Sequence, residues 1–221
     1  MVEDPASTPA EAPAREGESA EIVEYDPWEP FNTKTFWFNR QLDRFLLKPM
    51  ATVWDKVLPN PLKRSIDNAF TNIGMPRRVV NNLLQLKLKG AGLELSRFIV
   101  NTTMGIAGFF DVAEELGIDK SDEDTGQTLG VYGVGPGPYL MMPFLPPLTV
   151  RDGIGYGIDT LLDPLSYVLP FGTRMVMKGG KTVNDRSLNL ERFESVEKAT
   201  LDLYSAVRSA YLQRRQKAIE E

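Results

Sequence analysis

The stretch that decides the fold is GVYGVGPGPYLMMPFLPP, Gly130 to Pro147. It lies within a window, residues 125–150, that contains no charged residue and is long enough to cross a bilayer as a helix. The window is rich in residues that disfavour helices, namely Gly126, Gly130, Gly133, Gly135, Gly137, Pro136, Pro138, Pro143, Pro146 and Pro147. It is therefore predicted to be apolar but non-helical, and VYGVGPGPYLMM is expected to form a hairpin over its glycines.

Outside this window, the pattern of apolar residues predicts many short helices separated by proline and glycine. The first carries an aromatic face and is expected to stop at Pro49. Further helices are predicted over 50–58, 62–73, 76–89, 92–103, 109–116, 154–162 and 165–168, and residues 171–182 are expected to be a linker. The spacing within 185–217 predicts one amphipathic helix about 50 Å long, packed on the domain, on a partner or on a membrane.

The fold class that follows is all-α, in one main domain. Residues 1–24 are acidic and rich in Pro, Ala, Ser and Glu, which predicts a disordered tether with too little apolar surface to order itself. The helical domain is expected over 25–182 and the long C-terminal helix over 183–221. No unbroken apolar run suits a membrane-spanning helix.

Charge is distributed unevenly along the chain, whose net charge is −5. Residues 34–97 hold twelve basic and four acidic residues. Such a segment is either a solvated face or a surface that meets phosphates. Because its interleaved residues are apolar at helical spacing and no nucleic-acid motif is present, lipid headgroups fit it better than nucleic acid does.

The chain contains no cysteine and no histidine. This excludes Ser-His-Asp and Cys-His nucleophile pairs, thiolate or imidazole metal sites and disulfides, and only an all-carboxylate site remains open. The glycines at 133–137 make a poor phosphate loop, since prolines delete two amides and no lysine follows. The acidic clusters at 114–115 and 122–124 lack EF-hand spacing. No enzyme activity, cofactor or metal is expected.

Four charged residues, Arg97, Asp111, Arg151 and Asp152, lie beside long apolar runs. A buried charge must be paired, so one interpretation is that the arginines form structural ion pairs with these aspartates or with Asp124. The alternative is that one or both arginines face a polar channel and meet a phospholipid phosphate. Both alternatives stay open at this stage.

Four motifs together resemble one family. YDPWEPFN near the start, SRFIVNTTMGIAGFFDVA at 96–113, TGQTLGVYGVGPGPYLMMPF at 125–144 and TVRDG at 149–153 occur in the order and approximate spacing of the MlaA (VacJ) lipoproteins. The resemblance covers about residues 25–171. Thr125 departs from it where an aromatic residue is common, and Pro146 where glycine is frequent.

The resemblance implies a ring-shaped, all-helical lipoprotein in the periplasmic leaflet of the outer membrane of Gram-negative bacteria. Such proteins enclose an amphipathic channel, take mislocalised phospholipid from the outer leaflet and pass it to the periplasmic carrier MlaC, which maintains lipid asymmetry. They associate with trimeric porins, and no covalent chemistry is attributed to them. The alternative function is a cell-envelope scaffold that binds porins, with incidental lipid contact; a phospholipid hydrolase is disfavoured by the absence of histidine.

Site residues follow from the resemblance by position. Phe31 and Asn32 match the start of the first helix, and the hairpin thought to gate the channel is matched by Gly133, Gly135, Gly137 and Tyr139. Recurring polar positions are matched by Arg97, Asn101, Asp111, Arg151 and Asp152. The lipidated cysteine is missing and the chain starts Met-Val, so we expect a sequence shortened after its signal peptide and lipid anchor, with 2–24 as the native tether.

Overall fold

The computed structural model describes residues 26–221, and most of them are helical. The helices are α1 (Glu29–Leu42), α2 (Lys48–Val57), α3 (Asn60–Ile73), α4 (Met75–Leu84), α5 (Leu88–Thr103), α6 (Val112–Glu115), α7 (Thr125–Val131), α8 (Val150–Leu161), α9 (Leu165–Val168), α10 (Phe171–Leu188), α11 (Leu190–Ala199) and α12 (Leu203–Glu220). The all-α prediction is confirmed. The predicted tether, residues 1–24, lies outside the described residues.

Helices α1 and α2 form one continuous rod, because a π-helical segment, Asp43–Leu47, joins them. The predicted stop at Pro49 is wrong. Proline in a helix removes one amide donor and crowds the carbonyl four residues earlier. Here the wider π turn accommodates it, and the Lys48 amide donates to the Asp43 carbonyl five residues back.

A short antiparallel hairpin joins α7 to α8. Its strands are β1 (Tyr139–Leu140) and β2 (Leu148–Thr149), with Tyr139 paired to Thr149 and Leu140 to Leu148. The chain therefore reverses between these strands, over a segment with prolines at 143, 146 and 147, and the predicted hairpin over the glycines is wrong. The glycines at 133, 135 and 137 instead form the connection from α7 to β1, called the glycine loop (residues 132–138) below.

The apolar window also starts with a helix that was not predicted. Asp124 accepts a hydrogen bond from the Gln127 amide and the Gln127 side chain accepts one from the Asp124 amide, which makes a capping box at the start of α7. This cap, together with burial, holds seven residues in a helix despite two glycines.

The C-terminal third differs most from the prediction. Residues 171–188 are a helix rather than a linker, and the predicted single helix over 185–217 is broken into three pieces. Helix α10 is held by tertiary contacts: the Asn184 side chain accepts from Trp54 Nε1 and donates to the Lys63 carbonyl. Asp202 starts α12 by accepting from the Ser205 amide, and this cap competes with continuation of α11.

Burial is inverted relative to a water-soluble domain. Within residues 26–221, the largest fully buried side chains are polar: Lys63, Glu94, Asn32, Asn81, Asn82, Asn184 and Thr149. Many aromatic and aliphatic side chains point outward, among them Trp37, Phe38, Phe45, Val53 and Val57 of the rod. Folded chains in water bury apolar and expose charged groups, so an apolar exterior of this extent indicates contact with lipid or with other proteins.

No helix among residues 26–221 is both long and apolar enough to cross a membrane.

Candidate functional site

The hairpin is fastened to α1 by two asparagines, which act as substitutes for a neighbouring strand. Asn32 donates to the Tyr139 carbonyl at 3.0 Å and accepts from the Met141 amide at 2.9 Å. Asn39, two helical turns later, repeats the pattern with the Met142 carbonyl and the Phe144 amide, both at 3.0 Å. Four backbone groups between residues 139 and 144 are thus satisfied by side chains of α1, in addition to the pairing of β1 with β2.

The glycine loop crosses open space. Gly133 and Gly137 have φ angles of +83° and +67°, a region that favours glycine, and a Cβ at Gly133 or Gly135 would meet nothing within 4 Å. The loop is attached at its far end, where the Pro136 and Pro138 carbonyls accept from the Arg151 and Val150 amides. At its centre, the Val134 carbonyl accepts from Arg151 Nη1 and the Val134 amide donates to the Leu129 carbonyl. The loop is therefore exposed, but its backbone is held at Val134 as well as at its junction with β1.

Helix α12 presents a stripe of alternating tyrosine and arginine to the hairpin and to Asp26, just before α1. The stripe consists of Tyr204, Arg208, Tyr211 and Arg215, whose spacing puts them on one face of a helix. Tyr204 and Arg208 bond to Asp26, which precedes α1. The last helix is therefore tied to the segment before the first helix, beside the hairpin.

The second half of the stripe meets Asp152. The Tyr211 hydroxyl donates a hydrogen bond to Asp152. Arg215 bridges Asp152 and Asp124, with N–O distances of 2.6–3.1 Å. Burial alone would raise the pKa of Asp152, but these donors and Arg151 hold it below its usual range. Burial and the same carboxylate raise the pKa of Tyr211, so the phenol stays protonated and remains a donor.

Tyr139 joins the hairpin to this stripe. Its ring lies edge-on to Tyr204 and Tyr211, with centroids 6.2 and 6.1 Å apart, and Tyr204 is in turn edge-on to Phe36 at 5.6 Å. Tyr139, Met141 and Tyr204 form the buried apolar cluster of the described chain. The hairpin thus lies between α1, which bonds its backbone, and α12, which packs against its side chain.

Arg97 and Asp111 form a separate site, between α5 and the N-cap of α6. Arg97 pairs with Asp111 and also donates to the Ile118 carbonyl, and Asn101 adds a bond to Asp111 at 2.9 Å. Burial acts to raise the pKa of Asp111, but the bonds from Asn101 and the Glu114 amide, with Arg97, lower it overall. Whether a phospholipid phosphate ever meets Arg97 stays a prediction.

The remaining polar interior is built from helix-to-helix contacts that the sequence analysis did not identify. Arg78 on α4 pairs with Glu94 on α5 at 2.6 Å, and both side chains are almost wholly buried. Asp159 on α8 accepts from Thr125 and from Asn81. Within residues 26–221 no cation lies in bonding contact with Asp159, and burial raises its pKa.

The predicted site residues therefore fall into two groups. Asn32, Tyr139, Arg151 and Asp152 come together around the hairpin, with the glycine loop leading into it, whereas Arg97 and Asp111 lie apart. Phe31 is nearly half exposed and points away from its buried neighbour Asn32. The gating role of the hairpin stays a prediction.

Two cavities adjoin these groups. One, of about 280 Å³, lies between α1 and the start of α12 and is lined by Phe36, Trp37, Arg40 and Tyr204 among others. The other, of about 200 Å³, lies beside Arg97 and Asp111. Among the described residues no cluster of carboxylates is suited to hold a metal ion.

Sequence reasoning missed Asn39 and the stripe on α12. A signal for each was present. Asn39 repeats Asn32 after seven residues, which places both on one helix face, and the stripe repeats at steps of four, three and four. Neither pattern indicates a partner by itself, because the partners lie more than a hundred residues away in sequence for Asn39 and roughly sixty for Tyr211.

Comparison with known proteins identifies the family. The family model described as MlaA lipoprotein matches residues 24–218. The intermembrane phospholipid transport system lipoproteins MlaA of Escherichia coli and Haemophilus influenzae are each 32% identical to this chain, over 86% and 85% of it and 76% of their own lengths. An uncharacterized protein of Rickettsia bellii is 36% identical over 89% of this chain and 77% of its own.

A solved structure agrees with this. It was described as the structural basis for maintenance of bacterial outer membrane lipid asymmetry, and it superposes with a TM-score of 0.79 at 33% identity. The match covers 88% of this chain and 99% of that chain. The motifs, the helical architecture and the family model agree, and the chain belongs to the MlaA lipoprotein family.

Proposed function

We propose that this protein is a phospholipid transport component of the outer membrane, which removes mislocalised phospholipid from the outer leaflet and so maintains lipid asymmetry. The observation that carries the proposal is the inverted burial, with Lys63, Glu94 and the buried asparagines inside and the aromatic rod outside. A protein that sits in lipid needs this arrangement, because acyl chains meet its apolar exterior while buried polar groups hold its helices together by hydrogen bonds and ion pairs.

The hairpin is the element suited to control passage. Irregular backbone at membrane depth is tolerated where protein buries it or where it lines a water-filled cavity. Asn32 and Asn39 bond the backbone of the hairpin, and the stripe on α12 packs against it. The open space around Gly133 and Gly135 leaves the glycine loop room to move. In this proposal the helices surround a channel, and the glycine loop and hairpin form part of its wall.

Partners and position belong to the same proposal. The protein would be lipid-anchored in the periplasmic leaflet, associate with a trimeric porin and deliver phospholipid to the carrier MlaC. The apolar exterior offers surface for both bilayer and porin. Transfer of an intact phospholipid requires no bond to be made or broken, so no catalytic residue is assigned.

Bound lipid is the first test. Native mass spectrometry and lipid extraction of the protein purified from membranes should recover phospholipid. A monodisperse, lipid-free protein that stays soluble without detergent would contradict the proposal.

Locking the hairpin is the second test, and it separates transport from a scaffold role. Since the chain has no cysteine, the double variant Asn39→Cys/Phe144→Cys can tie the hairpin tip to α1 through one disulfide. Oxidation should stop transfer of phospholipid from vesicles to a soluble acceptor, reductant should restore it, and porin capture should be unchanged. If the protein is a scaffold, oxidation should change neither phospholipid transfer nor porin capture.

A further inference from the structure

Helix α11 lies against other helices without burying any of its own residues. Three ionic or cation–π contacts tie it to other helices of the described chain, and each uses a cation on the other helix. The contacts are Glu197 with Arg40, Glu194 with Lys48, and the Phe193 ring with Arg186. The helix is thus held by its contacts with three cations rather than by a buried apolar face.

The π-helical segment of the rod brings these three cations, called the cation row below, to one side. Arg186 of α10 bonds to Asp43, the first residue of that segment, at 2.8 and 3.1 Å. A π turn spans five residues, so Lys48 lies above Asp43. Arg40 precedes Asp43 by three residues of helix, which places it on the same face. Helix α11 therefore lies along the cation row.

Arg186 is the buried member of the cation row, with only 5% of its surface exposed. Asp43 holds its guanidinium through Nε and Nη2. Its Nη1 is also buried but has no hydrogen-bond acceptor within residues 26–221. Buried donors are normally paired, and the Phe193 ring, 4.4 Å from the guanidinium carbon, is a weak substitute for an oxygen. The row therefore has room for one more oxygen acceptor.

Glu194 already places one anion in the field of the cation row. The hydrogen bond and charge of Lys48 lower the pKa of Glu194, and Lys198 and Arg186 add smaller contributions in the same direction. Carboxylates and phosphates are both oxygen anions that arginine and lysine bind by charge-assisted hydrogen bonds. Helix α11 thus supplies the kind of group that a phosphate ligand would supply.

An apolar cavity adjoins the cation row at Arg40. It is the cavity of about 280 Å³ between α1 and the start of α12, and its lining includes Trp37, Leu201 and Leu203. Leu201 belongs to the turn that links α11 to α12, so lifting α11 would widen this cavity. A phospholipid offers hydrocarbon next to a phosphate, whereas free phosphate would use the cations alone.

We propose that the cation row is a binding site for the phosphate of a phospholipid, and that α11 is a cover which closes the site by placing Glu194 and Glu197 where the phosphate binds. In the open state Arg186 Nη1 and Lys48 bind the phosphate, and an acyl chain enters the cavity beside Arg40. The closing ion pairs are exposed and individually weak, so the cover can lift while the other helices stay folded.

Binding of a short-chain phospholipid tests the cover. Monomeric dihexanoylphosphatidylglycerol is titrated by calorimetry into the full chain in dodecyl maltoside, and the heat from empty micelles is subtracted. The double variant Glu194→Gln/Glu197→Gln keeps side-chain size but removes both closing charges. Its affinity should rise about tenfold, because losing two exposed ion pairs increases the open fraction. An unchanged affinity overturns the proposal.

The double variant Glu191→Gln/Glu115→Gln is the matched control. It changes the net charge by the same amount, and both residues are exposed and form no ion pair with another described residue. Its affinity should stay within about twofold of the parent. A rise equal to that of Glu194→Gln/Glu197→Gln would be a general charge effect and would overturn the site.

Lys48→Gln tests the site without disturbing the buried Arg186. Added to Glu194→Gln/Glu197→Gln, it should weaken phospholipid binding about tenfold because one charge-assisted hydrogen bond to phosphate is lost. Arg192→Gln, on an exposed position of α11, removes the same charge and should leave the affinity unchanged. Equal effects of the two substitutions overturn the site.

Two further probes separate a phospholipid from its parts. Glycerol phosphate has the phosphate without acyl chains, and dihexanoylglycerol has the chains without phosphate. Dihexanoylphosphatidylglycerol should bind at least about tenfold more tightly than either. Equal binding of glycerol phosphate assigns the site to soluble phosphates, and equal binding of dihexanoylglycerol shows that the cations bind no phosphate. Either result overturns the proposal.

Amide hydrogen exchange of residues 190–199 follows the cover itself. Because the phospholipid binds where α11 lies, adding it should speed exchange in α11, whereas a ligand bound elsewhere would slow this exchange or leave it unchanged. Salt at about 1 M, where the Debye length is about 3 Å, should also speed it by screening the closing ion pairs. Slower exchange on addition of phospholipid overturns the proposal.

The choice of ligand rests on the proposed function, but the two fail separately. If the variants change affinity and exchange as expected while vesicles show no phospholipid transfer, the covered site stands and transport does not. If phospholipid is transferred while Glu194→Gln/Glu197→Gln changes neither affinity nor exchange, transport stands and the covered site does not.

Discussion

Helices α4 and α5 meet through a buried ion pair, whereas the hairpin meets α1 through amides and α12 through phenol rings. In the first region, Arg78 and Glu94 leave water together, and Glu94 also accepts from the Ser121 amide. In the second, Asn32 and Asn39 replace a strand and Tyr139 packs edge-on against Tyr204 and Tyr211.

The two regions differ in the kind of polar group that loses its partner when the region opens. Separating α4 from α5 leaves two buried charges without each other, which is strongly unfavourable. Lifting the hairpin from α1 exposes neutral amides and carbonyls, which water or lipid headgroups can satisfy. The molecule is therefore expected to be rigid across α4 and α5 and to open, where it opens, at the hairpin.

The largest effect is expected from breaking the buried pair. Glu94→Ala leaves Arg78 as an unpaired buried cation, and the free energy of unfolding should fall by about 3–5 kcal/mol. Glu221→Ala, in the exposed Lys217–Glu221 pair, should cost at most about 1 kcal/mol. Urea unfolding in detergent measures both, and equal losses would mean that the interior is open to water.

Next in size is the loss of a hairpin fastening. Asn32→Ala removes the buried bonds to the Tyr139 carbonyl and from the Met141 amide, and a third bond to Asp26, so the loss should be about 2–4 kcal/mol. Asn39→Ala removes two bonds of the same kind, to the Met142 carbonyl and from the Phe144 amide. Because these bonds are exposed to solvent, the loss should be about 1 kcal/mol or less. Thermal unfolding compares them, and amide hydrogen exchange of residues 139–144 locates the loss. If the two variants are equally stable, burial is not what distinguishes the fastenings.

Two carboxylates on α8 should respond to acid in opposite directions. The pKa of Asp152 is lowered on folding, so its stabilisation is complete above its usual value, about 3.8, and is lost as pH falls through the lower folded value. The pKa of Asp159 is raised, so the folded chain gains stability as pH falls from neutral through that raised value. Asp152→Asn should flatten the loss of stability in acid, and Asp159→Asn should make stability fall earlier on acidification. Denaturant unfolding from pH 7 to pH 2 checks this, and parallel profiles would contradict it.

The smallest effect is expected within the glycine loop. At Gly137 the φ angle is +67° and an added Cβ would lie 3.2 Å from the Val150 side chain, so Gly137→Ala should cost about 1–2 kcal/mol. At Gly135 an added Cβ meets nothing within 4 Å, so Gly135→Ala should be neutral or stabilise by about 0.4–1 kcal/mol through the unfolded chain. Differential scanning calorimetry separates them. A large loss at Gly135 would mean that the loop packs against something in the membrane.

Much of the architecture could be predicted from local signals. Proline and glycine placed most helix boundaries within a few residues, and the broken apolar window correctly indicated an irregular segment between helices. The errors occurred where tertiary contacts outweighed local preference. Helix α10 contains Gly179 and Gly180 yet stays helical because Asn184 and Lys181 bond to α2 and α3.

The site was harder to predict, for the same reason. Asn32 was identified by resemblance, but its function as a strand substitute depends on backbone 107 and 109 residues away in sequence. The break between α11 and α12 had a local signal, Asp202 three residues before Ser205, which the regular apolar spacing concealed. Residue types alone gave no reason to expect that Tyr211 and Arg215 would meet Asp152.

The spacing of Asn32 and Asn39 along α1 also matches the spacing of the hairpin groups that they bond. Seven residues of helix rise about 10.5 Å, and three residues of extended chain advance about 10 Å, so Asn32 and Asn39 stay in register with the bonds they make at 139–141 and 142–144. One residue inserted between them would rotate Asn39 by about 100° and remove it from the hairpin. The number of residues between Asn32 and Asn39 is thus constrained by the spacing of the backbone groups that they bond in the hairpin.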